Sequence, residues 1–222
     1  MQKRLLLFLG APGSGKGTLA QWCVKDLSYD QLSTGNLCRE HIAHGTEIGK
    51  NIDLALKSGK LIDDGLVTCM VTEWIAQNPA KIHIILDGYP RTVIQAEAFD
   101  KFVDLQEHQP LIVRLKISEQ AVIDRLTLRM VCSEKGCQAV YSLVDGSGCQ
   151  PERENVCDVC ESPLIKRADD EIVAIKHRLK LYSTHEQQLL DFYNAQGYEI
   201  VDLDAVQPTE AIFCEFKQRV HG

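Results

Sequence analysis

Nine consecutive residues, Gly10-Ala-Pro-Gly-Ser-Gly-Lys-Gly-Thr18, place glycines at 10, 13, 15 and 17 around a lysine at 16. Glycine lets the backbone take positive φ and come close to a ligand, so successive N–H groups can converge on an anion. Lys16 adds a mobile positive charge, and the spacing is the G-x-x-x-x-G-K of a phosphate loop. The general motif continues with Ser or Thr; here Gly17 stands in that place and Thr18 offers the hydroxyl one residue later. Gly13, Ser14, Gly15, Lys16, Gly17 and Thr18 are therefore the candidate phosphate-binding residues. A glycine-rich turn without a ligand is the bland alternative. The flanks oppose it: an apolar run, Leu5 to Leu9, leads in and a segment of helical period, Leu19 to Leu27, leads out. That puts the loop at a helix N-terminus, where amides already point at an anion.

Arginines recur where such a site would need them. Arg39 follows Thr34-Gly35, which reads as a helix start with Thr34 as N-cap, and Arg91 follows the turn Asp87-Gly88-Tyr89-Pro90 after the apolar run Ile82 to Leu86. Arg125 and Arg129 are four apart and are expected to share one helix face, where that helix meets a cysteine-rich segment. Arg178 lies eleven residues after Arg167 and shares its face if Arg167 is already helical. One at a time, each reads as a solvated surface arginine; their joint placement at strand ends and segment boundaries favours phosphate, which the planar guanidinium binds in pairs of oxygens. Asp87, at the end of a buried strand, is the candidate for Mg²⁺, directly or through water. Its alternative is a turn former, since Asp-Gly is a strong turn dipeptide.

Nine cysteines divide into two sets. Cys23, Cys38, Cys69 and Cys214 are scattered and are expected to be small buried apolar residues. The other five lie between 132 and 160. Cys132-x₄-Cys137, then nineteen residues, then Cys157-x₂-Cys160 forms two knuckles with the spacing of a structural Zn²⁺ site. Cys149 competes for one ligand place or is a free thiol, and disulfides are the remaining alternative. The seven histidines show no ligand or general-base spacing.

The elements that must position these groups follow from periodicity. Apolar runs at Leu5 to Leu9, Ile82 to Leu86, Leu111 to Leu115 and Tyr198 to Val201, with a short one at Gln31 to Ser33, alternate with helical segments. An α/β fold with a mostly parallel five-stranded sheet flanked by helices is expected, with ligands at the carboxyl ends of the strands. Two stretches break the alternation: three helices without a strand, Gly35 to Ala43, Glu47 to Lys57 and Asp64 to Gln77, and a Cys-, Gly- and Ser-rich stretch from 130 to 166. Both read as insertions. A long helix from about Ala168 to Ala195 and a last one starting at Pro208 return the chain to the core. The division expected is core 1–33, 78–129 and 167–222, helical insertion 34–77 and second insertion 130–166.

The 222 residues suffice for one ordinary core, and a net charge of −7 argues against a surface built to hold a nucleic-acid backbone. Only five apolar residues follow the basic pair Lys3-Arg4 before Gly10, too few for a signal core. No run has the length to cross a bilayer, so a cytoplasmic protein is expected, with a monomer as the default.

Five ordered motifs, GAPGSGKGT at 10–18, LSTGNLCRE at 32–40, SGKLIDDGLV at 58–67, LDGYPRTVIQAE at 86–97 and RADDEIVAIKHRL at 167–179, resemble the adenylate kinase family in order and spacing. That resemblance implies the P-loop kinase fold and reversible, Mg²⁺-dependent transfer of phosphate from ATP to AMP, giving ADP. It makes 34–77 the AMP-binding part and 130–166 a zinc-type lid over ATP. It carries AMP contacts onto Thr34, Arg39, Gly88, Arg91 and Gln95, with the backbone of Lys60 and Ile62 near the adenine. ATP and transfer contacts fall on Lys16, Arg125, Arg129, Arg167 and Arg178, the last two also serving AMP. Departures are Asn36 for the commoner Asp, Leu128 and Met130 beside Arg129, and no glycine in Asp202-Leu203-Asp204-Ala205. A kinase for UMP or CMP, or a binding module without transfer, are the alternative readings.

Overall fold

The computed structural model describes residues 3–57, 62–106, 108–134, 136–137, 139–144, 146–167 and 170–221. The chain begins with β1 (Arg4–Gly10), whose residues from Leu5 onward are all buried, as expected of a strand covered on both faces. It continues through α1 (Lys16–Leu27), β2 (Asp30–Ser33), α2 (Thr34–Ala43), α3 (Glu47–Lys57), α4 (Asp64–Gln77), β3 (His83–Asp87), α5 (Val93–Leu105), β4 (Gln109–Lys116) and α6 (Glu119–Thr127). Three short strands follow, β5 (Arg129–Cys132), β6 (Val140–Ser142) and β7 (Leu164–Ile165), then α7 (Ile172–Ala195), β8 (Ile200–Asp204) and α8 (Thr209–Phe216).

A five-stranded sheet has the order β2-β3-β1-β4-β8 and is mostly parallel and flanked by helices, as the alternation predicts. Both β1 and β2 pair with β3 in parallel, in a register that sets Phe8 and Ser33 opposite Asp87. The chain separates into two compact units, 1–9 with 20–114 and 185–201, and 10–19 with 115–184 and 202–222.

In the first unit, Leu5, Leu7, Ile84, Leu86, Val71, Phe99 and Leu190 are among the residues of one core cluster. A smaller cluster of Cys38, Ile52 and Met70 joins α2, α3 and α4. Gly49 is required there, because a Cβ on it would collide with the His41 carbonyl. In the second unit Ala11, Val122, Leu126, Ile175 and Leu179 pack together. There β5 is the centre of an antiparallel three-stranded sheet, β6-β5-β7.

Local readings are corrected in five places. Ser33, not Thr34, caps α2, its side chain accepting from the Asn36 amide, while Thr34 is the first helical residue. Helix α6 ends at Thr127 with Leu128 as C-cap, so Arg129 opens β5 instead of sharing a helix face with Arg125. Helix α7 starts at Ile172, so Arg167 precedes it; residues 168 and 169 lie outside the described residues. Pro208 is the N-cap of α8, and the helical path continues as a wider π turn over Lys217–His221. Cys23 and Cys38 are buried, but Cys69 and Cys214 are exposed. Among the described residues no helix is long and apolar enough to cross a membrane.

Candidate active site

The second unit holds the phosphate loop. Gly10, Gly13 and Gly15 all have positive φ, of 146°, 81° and 97°, whereas Gly17 lies inside α1 and does not need it. The need at Gly13 is also steric, since a Cβ there would sit 2.7 Å from Leu126 Cγ. Helix α1 begins at Lys16 with no acidic residue in its first turn, so nothing on it opposes an anion at its N-terminus. Lys16 Nζ donates to the carbonyls of Gly10 at 2.6 Å and Ala11 at 2.9 Å, and lies 3.3 Å from Ser14 Oγ. Its ammonium is thus folded back onto the loop that a phosphate would enter. Ser14 is fully buried, and Thr18 is half-buried in the first turn of α1. Arg125 Nη1 reaches the Ser14 carbonyl at 3.5 Å. Burial pulls that guanidinium down from its ordinary value.

The first unit brings a second group together. Thr34 is buried, and its hydroxyl donates to the Gly88 carbonyl at 2.9 Å. Gly88 has φ 82°, and a Cβ there would lie 3.0 Å from both Thr34 Oγ1 and Arg91 Nη2. Arg91 donates from Nε to the Gly88 carbonyl at 2.8 Å and from its backbone N–H to Gln95 Oε1 at 2.7 Å. Arg39 donates to Asn36 Oδ1, so the residue in place of the commoner aspartate holds the neighbouring arginine. Burial pushes the Cys38 thiol up, against the opposing charges of Arg91 and Arg39. Asp87 ends β3 half-buried, with Oδ2 accepting from Gln31 Nε2 at 3.3 Å. Ile62 packs beside the α2–α4 cluster, and Lys60 lies outside the described residues.

Comparison with known proteins settles the family. The family model for adenylate kinase matches residues 8–198, which take in the loop, the Thr34 to Gln95 group and the cysteine-rich insertion. The chain belongs to the adenylate kinase family. An adenylate kinase of Treponema denticola is 36% identical over 211 residues, covering 95% of this chain and 96% of that one. One from Archaeoglobus fulgidus is 34% identical over 213 residues, covering 96% and 95%. One from Caldicellulosiruptor bescii is 35% identical over 197 residues, covering 88% and 89%.

In this adenylate kinase family member the cysteines of the insertion converge. The Sγ atoms of Cys132, Cys137, Cys157 and Cys160 all lie within 4.8 Å of one another. Cys132 and Cys160 are 3.3 Å apart and Cys137 and Cys157 3.6 Å. A disulfide needs about 2.05 Å, whereas zinc at about 2.3 Å from each of four sulfurs spaces them about 3.8 Å apart. The donor set therefore fits a closed tetrahedral metal site and not two disulfides. Cys149 stays outside it, its Sγ 3.9 Å from Thr209 Oγ1. Backbone and side-chain donors already serve the sulfurs: the Glu134 amide points at Cys132 Sγ at 3.4 Å. Tyr141 Oη accepts the Asp158 amide at 2.8 Å and lies 3.4 Å from Cys157 Sγ, to which its own proton is left to donate. Burial raises the Cys157 thiol, but the Tyr141 hydroxyl and neighbouring amides outweigh it and bring it to about 6. Burial pushes Cys132 up to about 12.

The arginines flanking the cysteine-rich insertion meet through a residue that motif reading passes over. Asp170 Oδ2 and Oδ1 accept from Arg129 Nε at 2.7 Å and Nη2 at 2.5 Å, and Arg178 Nη1 is 3.5 Å from Oδ1. The Asp170 side chain is 2% exposed and that of Arg129 14%. Arg167 is half-buried, and its carbonyl accepts from the Asp170 amide at 3.2 Å. Removing one member of a buried pair leaves the other uncompensated, so Asp170→Asn is expected to destabilise the protein by about 3 kcal/mol. A lowered denaturant midpoint checks this, and Asp170→Leu combined with Arg129→Leu should lose less.

Proposed function

We propose that the chain catalyses the reversible transfer of the γ-phosphoryl group of ATP to AMP, giving two ADP, with Mg²⁺. The observation that supports this most is the continuous family match from 8 to 198, because it spans the donor loop and the Thr34–Gly88–Arg91–Gln95 group alike. On this reading the loop amides from Gly13 to Thr18 and Lys16 cradle the donor phosphates, and Arg125 and Arg129 add charge on the donor side. Thr34, Arg39, Gly88, Arg91 and Gln95 hold AMP, with Lys60 and Ile62 near its base, and Arg167 and Arg178 serve the transferring group. The acceptor's phosphate oxygen attacks the γ-phosphorus in line, and fixed donors stabilise the charge spread over its oxygens. Mg²⁺, when bound, neutralises charge on the donor phosphates. Asp87 fits it as a half-buried carboxylate with Oδ1 unengaged among the described residues.

The helices of 34–77 are proposed as the AMP-binding insertion and 130–166 as the lid, with Cys132, Cys137, Cys157 and Cys160 holding a structural Zn²⁺. Four thiolates leave no open position, so the metal stabilises the lid and takes no part in the transfer. The test is an acceptor panel of AMP, UMP and CMP with ATP and Mg²⁺, read as ADP formed. AMP is expected to be strongly preferred; ATP binding without ADP formed from AMP would overturn the reading.

A further inference from the structure

Gln95 is almost wholly buried, and its amide carries two partners of opposite kind. The Arg91 backbone N–H, which can only donate, sits 2.7 Å from Oε1. A carboxylate oxygen of Asp64, which can only accept, sits 2.8 Å from Nε2. The second oxygen of Asp64 accepts from Thr92 Oγ1 at 3.0 Å, and that same hydroxyl accepts the Gln95 backbone N–H at 3.2 Å. The Gln95 carbonyl in turn accepts from Tyr89 Oη at 3.2 Å. Asp64 is therefore the corner of a closed ring of hydrogen bonds, at the first position of α4, where its charge suits the helix N-terminus.

We infer that Asp64 is a positioning residue: it fixes which way round the Gln95 amide points and so makes the acceptor site choose a 6-aminopurine over a 6-oxopurine monophosphate. The inference rests on the acceptor reading of Gln95 proposed above. An amide has two N–H donors and two acceptor lone pairs. With one of each engaged by Asp64 and Arg91, one N–H and one lone pair remain, in a fixed order. A 6-aminopurine offers an amino donor next to a ring-nitrogen acceptor. A 6-oxopurine offers a carbonyl acceptor next to a ring N–H, the reverse in both places. A glutamine able to turn over by 180° serves either base equally. One held on both sides serves only one, and the wrong base sets donor against donor and acceptor against acceptor. Arg91 alone holds half of this; Asp64 supplies the other half and is the member a mutation can remove without touching the backbone.

The experiment measures kcat and KM separately with AMP and with IMP for wild type, Asp64→Asn, Asp64→Ala and Asp64→Glu. Asparagine keeps the shape of aspartate but can face the glutamine with either its oxygen or its NH₂. The ratio of kcat/KM for AMP over IMP is expected to fall about tenfold in Asp64→Asn and Asp64→Ala. The change should lie mainly in KM, and Asp64→Glu should recover part of it. Parallel losses for both acceptors with an unchanged ratio would make Asp64 a packing residue and overturn the inference. Should Asp64→Ala melt below the assay temperature, the isosteric Asp64→Asn carries the comparison. Gln95→Ala separates the two levels. If it raises KM for AMP while Asp64→Asn leaves the ratio unmoved, only the amide lock fails; if it leaves KM for AMP at the wild-type value, the acceptor reading itself fails.

Discussion

Lys16→Met is expected to retain the fold and to lose about 10²–10³ in kcat, the usual cost of removing one preorganised electrostatic contact from a transfer site. The fold should survive because Lys16 is half-buried at a helix start and its ammonium donates to carbonyls of its own loop. Methionine fills most of the same stem volume. Turnover should fall because no other lysine lies within the loop. The present bonds to Gly10 and Ala11 also mark the position from which the ammonium must be recruited, so part of the deficit should appear in KM for ATP. The measurement pairs a thermal melt with ADP formation under saturating nucleotides. A folded variant turning over at the wild-type rate would remove Lys16 from the chemistry.

The second large effect concerns the metal proposed for the four-cysteine cluster. A purified sample is expected to contain stoichiometric zinc by elemental analysis, and strong chelation or Cys157→Ser should lower the melting temperature by about 10 °C. A ligand present at about 1,000 times its Kd stabilises by about 4 kcal/mol, and each kcal/mol shifts the midpoint of a chain of this size by about 2–4 °C. Cys157 is the sharpest choice, because it is fully buried and sits between Cys137 Sγ and the Tyr141 hydroxyl. Among the described residues the apolar cluster of this segment is small: Met130, Cys132, Tyr141, Cys157 and Leu164, with Cys137 and Ala139 at the edge. No metal on analysis together with an unmoved melt would end this reading. Restoring zinc to the chelated protein should restore the melt.

Sequence patterns exposed the sheet and the loop because their causes are local. The unbroken apolar run of β1 followed by glycines and a lysine admits few other conformations, and the five strands fall within a few residues of their expected places. The cysteine knuckles were legible for the same reason, and the structure added that Cys149 stays outside. Residues whose partners are remote were not legible. Arg125 and Arg129 have helical spacing, yet the pairing of Val131 with Ile165 and Val140 draws that segment into a sheet. Asp64 and Asp170 each stand in an Asp-Asp pair without a local partner to mark it, and their partners Gln95 and Arg129 lie 31 and 41 residues away. Local spacing makes Thr34 the expected cap of α2; the Gly88 carbonyl claims that hydroxyl and leaves the cap to Ser33.

The neighbouring strands β5 and β7, with Arg129 bound to Asp170, bring the entry and exit of the cysteine-rich insertion to one place. A segment whose ends meet is topologically a graft: residues can be added, lost or exchanged within it without altering the separation of the two points where it joins the rest. The four-residue gap between Cys132 and Cys137 and the Gly-Ser-Gly turn at 146–148 lie wholly within it. A lid of different length or metal chemistry, spliced between Cys132 and Leu164, should therefore leave the remainder of the molecule to fold as before, which makes this segment the natural unit of exchange between relatives.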